Sequence, residues 1–327
     1  MIDMMKKMFV YNYREYDEAE FFESASKKYG IEIGYTKSAP SLDNVELAKG
    51  YEAVNVITTK IDRPLLEKFK ALGVKFITTR TIGYDHIDIK AAKELGIGVS
   101  NISYTPDTVA EYTIMMMLMA KRKMKRIMER AHIQDFTLPG ILGSEIHDSV
   151  VGIIGTGRIG ETVIRDLSGF GCKVLCYDLY EKESVKKYAT YTDLDTVLGK
   201  SDIISLHMPA NESNYHIIDE KAIEKMKPGV LLVNTARGAL IDSEALIRGI
   251  ECGKIGGAAL DVVEKELGLY YNDLRYQPLD NRELAILKSF PNVLFTPHMA
   301  FYTEEAIRDM VYHSLESYLA FLEQKES

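Results

Sequence analysis

Val150-Val151-Gly152-Ile153-Ile154-Gly155-Thr156-Gly157-Arg158-Ile159-Gly160 is the stretch on which the fold turns. An apolar run reads as a buried strand and breaks into Gly-x-Gly-x-x-Gly. Glu161-Thr162-Val163-Ile164-Arg165-Asp166-Leu167 then carries apolar residues at helical spacing. Strand, glycine turn and helix form the context in which this motif binds a dinucleotide. Gly155 would allow the tight turn, Gly157 the approach of a pyrophosphate, and Gly160 the packing of helix on strand. The pyrophosphate would rest on the free N–H groups that open the helix, beside Arg158 and Ile159. A second apolar run, Cys172-Lys173-Val174-Leu175-Cys176-Tyr177, ends in Asp178. An acid there accepts bonds from ribose hydroxyls and repels an added phosphate. Leu179 and Tyr180 follow it, with no basic residue, so NAD is expected rather than NADP.

Working outward, 327 residues allow two domains, and 46% hydrophobic content supports real cores. A net charge of −8 excludes a nucleic-acid surface, which needs a basic face. The cluster Lys121-Arg122-Lys123 with Lys125 and Arg126 falls inside an expected helix and reads as a solvated face. Cys172, Cys176 and Cys252 have no metal-ligand spacing, so no metal is expected. Lys6 and Lys7 lead into Tyr11-Asn12-Tyr13-Arg14 rather than an apolar segment. The run Ile114 to Ala120 is too short to span a bilayer. A cytoplasmic protein with no membrane partner is the expectation.

Upstream, Met8–Tyr11, Ala53–Ile57 and Val74–Thr79 read as strands, with helices over Glu18–Tyr29, Pro64–Leu72 and Asp88–Leu95. This alternation implies a parallel sheet, and Arg80-Thr81-Ile82-Gly83-Tyr84-Asp85 would lie at a strand's C-terminal end, where such sheets bind ligands. One long helix is expected over 106–130, with Thr105 as N-cap and Pro106 at its first position. Its apolar start suggests burial between domains or against a second subunit. Downstream, a strand and loop are expected over Ile203–Pro209, strands at Val230–Asn234, Ala258–Asp261 and Val293–Thr296, and an irregular loop from Tyr270 to Pro278. The last helix, about Thr303 to Glu323, is expected to return to the N-terminal unit. The fold class is therefore α/β, two Rossmann-like domains with parallel sheets. The nucleotide domain, 104–298, is inserted into a discontinuous substrate domain of 1–103 plus 299–327.

Arg237, Glu266 and His298 each follow an apolar strand, on the edge where the cofactor should lie. Asn234-Thr235-Ala236-Arg237-Gly238, Ala259-Leu260-Asp261-Val262-Val263-Glu264-Lys265-Glu266 and Thr296-Pro297-His298 resemble the NAD-dependent D-2-hydroxyacid dehydrogenases over nearly the whole chain. Tyr104 to Tyr112 and His298 to Thr303 look most like the D-lactate dehydrogenase branch, similar to the pyruvate-reducing dehydrogenases of vancomycin-resistance operons. The resemblance implies that Arg237 clamps the 2-oxo acid through a planar fork. His298 would donate a proton to the carbonyl as hydride arrives, with Glu266 holding the imidazole and favouring its charged form. Glu264 is the rival orienting acid, and the family's spacing from Asp261 favours Glu266.

Asp261 resembles the residue beside the nicotinamide carboxamide, and the backbone at Ile82 and Gly83 the loop that takes the substrate carboxylate. Tyr104 and Phe301 match walls of the substrate pocket, and a further wall on Asn55-Val56-Ile57 would help set side-chain size. His207, Met208, Pro209, Asn214 and Ala236 are expected to line the cofactor, whereas His132, His147, His216 and His313 read as structural. The expected reaction is NAD-dependent reduction of a 2-oxo acid, pyruvate to D-lactate first. The enzyme rival is a larger acid such as 2-oxoisocaproate or phenylpyruvate. A remoter rival is an NAD-sensing binding protein. A homodimer is expected.

Overall fold

The computed structural model describes residues 6–266 and 268–326. The chain divides into two compact units, Met1–Thr105 with Tyr302–Ser327, and Pro106–Phe301.

The first unit is built on five parallel strands: β1 (Lys6–Val10), β2 (Ile31–Tyr35), β3 (Ala53–Val56), β4 (Phe76–Thr79) and β5 (Gly98–Ser100). Their order is β2-β1-β3-β4-β5. β3 and β4 are buried along their whole length, as strands covered on both faces must be. The C-terminal helix Glu304–Glu326 packs on the helix Glu15–Tyr29 and on β4 and β5. Val311, Leu315 and Tyr318 close a core with Met8, Val10, Phe22 and Phe76. Asp88 starts the helix Ile89–Glu94 by accepting the Ala91 N–H at 2.9 Å.

The second unit carries seven parallel strands: β6 (Val150–Ile154), β7 (Lys173–Tyr177), β8 (Thr190–Tyr191), β9 (Ile203–Leu206), β10 (Val230–Asn234), β11 (Ile255–Leu260) and β12 (Val293–Phe295). Their order is β12-β11-β10-β9-β6-β7-β8, so successive connections run outward in opposite directions from β6 and β9. Doubly wound sheets bind dinucleotides at that reversal, outside the C-terminal strand ends. The glycine turn after β6 stands there. Ile153, Ile154, Leu206, Leu232 and Val233 are fully buried, each worth about 1.5–3 kcal/mol of apolar transfer.

The single helix expected over 106–130 is two helices, Asp107–Lys121 and Met124–His132, broken at Lys123 with φ +53°. The Lys121 carbonyl takes the Ser144 N–H at 3.1 Å instead of the N–H a continuing helix would supply. Lys125 then turns its ammonium onto the carbonyls of Lys288, Phe290 and Val293 at 3.2, 2.8 and 3.0 Å. Pro106, expected at the first helical position behind a Thr105 cap, is itself the cap residue, without a side-chain capping bond. β2, β5 and β8 were not foreseen: each is short or mixed in polarity and is fixed by a neighbouring strand. No helix among the described residues is long and apolar enough to cross a membrane.

Candidate active site

At the reversal point the Gly155 N–H bonds to the Tyr177 carbonyl at 2.8 Å, and its φ is +96°. A Cβ on Gly155 would lie 2.6 Å from the His207 carbonyl oxygen, and one on Gly160 only 2.0 Å from the Gly155 oxygen. Both positions therefore exclude a side chain for packing reasons. A Cβ on Gly157 would meet nothing within 4 Å, so that glycine faces open space. The helix Arg158–Leu167 begins there without a side-chain cap, leaving its first N–H groups for an anion. Gly160→Ala is expected to lower the melting temperature by roughly 2–8 °C through overpacking, and to weaken NADH binding at least about tenfold as the turn deforms. Thermal melts and a fluorescence titration read both effects.

Asp178 sits beside this turn. It accepts the Thr156 N–H at 2.6 Å, the Thr156 hydroxyl at 3.1 Å and the Tyr180 N–H at 3.1 Å. Burial pushes its carboxyl up, but these bonds outweigh burial and hold it below the ordinary range, as a carboxylate. It suits hydroxyl donors such as those of a ribose. Behind Gly155, His207 bonds Ser205 Oγ through Nε2 at 2.8 Å. Although part of its edge reaches solvent, the surrounding protein pushes the imidazole down to about 3, so it stays neutral. Asn214 donates to the Pro209 carbonyl at 2.6 Å and to Met208 Sδ at 3.5 Å, closing the loop after β9. An open glycine turn, an uncapped helix start and an acceptor carboxylate fit an NAD molecule.

The three residues expected to react stand at the ends of β10, β11 and β12. Buried Asn234 accepts the Ala236 N–H at 3.0 Å and donates to the Arg237 carbonyl at 2.8 Å, fixing the turn that presents Arg237. His298 Nδ1 lies 2.9 Å from Glu266 Oε1, while Glu266 Oε2 accepts the Val263 N–H at 3.3 Å. Glu264 points elsewhere, to His216 Nε2 at 2.7 Å. His298 has φ +55°, a costly conformation for a non-glycine residue.

Asp261 enforces that conformation. Its fully buried carboxylate accepts the Thr296 hydroxyl at 2.6 Å and the N–H groups of Met299 and Ala300 at 2.8 and 2.9 Å, and its carbonyl takes the His298 N–H at 2.7 Å. Burial pushes the Asp261 carboxyl up. The residue expected beside a carboxamide thus also braces the histidine turn.

The loop after Glu266 contributes aromatic residues that sequence reading left as irregular. The Tyr270 ring meets the His298 imidazole edge-on, with centroids 5.9 Å apart, and the Tyr271 hydroxyl donates to the His298 carbonyl at 3.0 Å. Phe301 lies edge-on to both His298 and Tyr271, at 6.4 and 6.3 Å. Three tyrosines in one loop was the available signal, without a partner to attach it to.

In the other unit, Ile82 accepts a bond from Asn101 Nδ2 at 2.6 Å, and Gly83 one from Thr81 Oγ1 at 2.5 Å. Half-buried Tyr104 follows β5. Sequence reading missed what lies under this loop. Arg80 is fully buried, pairs with fully buried Glu18 at 3.0 Å, bonds Asn55 Oδ1, and donates to the carbonyls of Tyr11 and Asn12.

The family profile of the D-isomer specific 2-hydroxyacid dehydrogenase NAD-binding domain matches residues 114–300. An aromatic 2-oxoacid reductase of Clostridium sporogenes is 45% identical over 90% of each chain. A D-specific alpha-keto acid dehydrogenase of Enterococcus faecium is 42% identical over 95% of this chain and 96% of its own. Among solved structures, a D-lactate dehydrogenase from Treponema pallidum superposes with a TM-score of 0.88, at 37% identity over 97% of both chains. The chain belongs to the D-isomer specific 2-hydroxyacid dehydrogenase family and is an NAD-dependent oxidoreductase of that family.

Proposed function

We propose that the protein reduces a 2-oxo acid to the D-2-hydroxy acid, with Arg237, Glu266 and His298 as the reacting set. The observation that carries this reading is the 2.9 Å contact between Glu266 and His298 Nδ1. A carboxylate on Nδ1 fixes the ring and its tautomer, so that Nε2 can hand a proton to a carbonyl oxygen. Arg237 presents a planar fork to the oxygens of the oxo acid. Bound NADH would supply the hydride. Gly155, Gly157, Arg158, Ile159, Gly160, Asp178, His207, Met208, Pro209, Asn214, Ala236 and Asp261 would hold it. Ile82, Gly83, Tyr104 and Phe301 would take the acid, with residues 1–103 plus 299–327 as its domain and 104–298 as the nucleotide domain.

Pyruvate was the first expectation from sequence. The identities favour its rival, because the aromatic 2-oxoacid reductase is 45% identical and the D-lactate dehydrogenase 37%. We assign the preference to a larger, aromatic 2-oxo acid. One methylene in an apolar pocket discriminates by only about 1–3 kcal/mol, so pyruvate is expected to turn over more slowly rather than not at all. NADH oxidation with pyruvate, 2-oxobutyrate, 2-oxoisocaproate, phenylpyruvate and hydroxypyruvate decides it. A kcat/KM maximum at phenylpyruvate is expected, and a maximum at pyruvate with D-lactate as product would restore the first reading.

The homodimer is supported by the second unit's surface. Met128, Ile133, Phe136, Leu138 and Leu142 are all exposed, the last at 86%. Ile114, Met115, Leu118, Met119 and Met124 line a groove of the same unit, edged by Glu111, Arg122, Arg165 and Asp166. Apolar patches of this kind mark interaction sites. Sedimentation should give twice the chain mass, and Phe136→Asp with Leu142→Asp should give a monomer.

A further inference from the structure

The loop that follows β11 carries two carboxylates, Glu264 and Glu266, that serve different histidines. Glu266 meets His298. Glu264 uses both its oxygens elsewhere: Oε1 lies 2.7 Å from His216 Nε2, and Oε2 accepts the Ser243 N–H at 3.0 Å. Asn281 Nδ2 holds the Glu264 carbonyl at 2.9 Å. These bonds tie the loop to the first residue of the helix Ser243–Glu251 and to the cap of the helix Arg282–Ser289.

His216 belongs to the loop after β9, and its chain runs alongside the turn that follows Arg237. The His216 N–H donates to the Ala239 carbonyl at 2.9 Å, Ile218 to Leu240 at 3.0 Å, and Asp242 to Ile218 at 3.0 Å. The same turn is pressed on the Glu264 loop, since a Cβ on Gly238 would lie 2.0 Å from the Val263 carbonyl carbon. His216 holds φ +53°, a strained conformation that the contacts on both sides maintain. Tyr215 stacks on its ring at 3.8 Å between centroids, and Asp242 Oδ2 lies 3.9 Å from Nδ1.

We propose that His216 and Glu264 form a positioning pair for the reduction, locking the Arg237 turn to the Glu266 loop so that clamp and proton donor stay in register. Neither residue touches the reacting atoms, and the inference rests on the reading of Arg237, Glu266 and His298 as the reacting set. Burial pushes the Glu264 carboxyl up, but the bonds from Ser243 and His216 hold it below its ordinary range, so the pair carries a charged acceptor. Bonds to a charged group are about twice as strong as neutral ones. The loop's two acids thus have separate duties: one orients the proton donor, and the other holds the loop from which it does so.

Glu264→Gln retains shape and an oxygen for the Ser243 N–H while removing the charge. His216→Gln tests the other side. Displacing reacting groups by a fraction of an ångström to 1 Å costs up to about 100-fold in rate. Each variant is expected to lower kcat/KM for the oxo acid about 10- to 100-fold, through both kcat and KM. NADH binding, measured by fluorescence, should stay within about twofold in Glu264→Gln, whose bonds reach none of the residues assigned to the cofactor. The double variant should be little worse than either single one. In a Glu266→Gln background, Glu264→Gln should lower kcat no more than about threefold.

A lowered melting temperature with unchanged kcat and KM would reduce the pair to packing and overturn the proposal. An equal kcat loss in both Glu266 backgrounds would also overturn it. Full activity of His298→Gln is a separate outcome: it would remove the reacting set itself, and this inference with it.

Discussion

Arg237→Lys is expected to lower kcat/KM for every 2-oxo acid by about 1,000-fold or more, while the NADH dissociation constant stays within about twofold. A guanidinium offers parallel N–H groups in a fixed plane that matches the oxygens of a 2-oxo acid, whereas an ammonium is a point charge on a flexible stem. The charge survives the substitution, so the loss measures geometry. Three orders of magnitude correspond to about 4 kcal/mol of transition-state stabilisation. Arg237 is itself fixed, through the Asn234 side chain on its carbonyl and on the Ala236 N–H. Lysine at the end of that turn would inherit the backbone position and not the fork. The test is steady-state kinetics beside a direct binding titration with NADH. An unchanged kcat/KM would remove Arg237 from the substrate site.

His298→Gln should reduce kcat by about 100- to 10,000-fold, the range for loss of a general acid. Glutamine keeps a hydrogen-bond donor near the carbonyl but cannot release the proton. Glu266→Gln should also lower kcat, because an amide on Nδ1 no longer fixes the tautomer and orientation of the His298 ring. Full kcat in both variants would sink the assignment.

Much of the second unit was legible because its signals are local. The apolar run before Gly155 and the helical spacing after Gly160 define a strand, turn and helix without reference to the rest of the chain. The strands ending at Leu206 and Asn234 are buried along their whole length and read as apolar runs. The contest between Glu264 and Glu266 could not be read from composition, because two acids in one loop differ only in where the backbone aims them. In the structure each faces a different histidine, and His216, which sequence reading set aside as structural, is the partner of Glu264. The break at Lys123 was hidden for a similar reason, since what ends the helix is the N–H of Ser144, brought in by tertiary structure. Tyr270 and Tyr271 were seen without a role because edge-on contacts with a distant histidine leave no periodic trace.

The buried pair beneath the Ile82–Gly83 loop bears on how such a chain can drift over generations. Arg80 and Glu18 are both shut off from solvent and lie far apart in sequence. Replacing Glu18 alone strands the Arg80 guanidinium in the interior, a step that costs about 3–5 kcal/mol. Glu18 without Arg80 would keep Arg14, whose Nη2 lies 3.0 Å from its Oε1. The two positions are therefore unequal in descent: the arginine can be lost first, whereas loss of the acid must follow it or pass through a poorly folded intermediate.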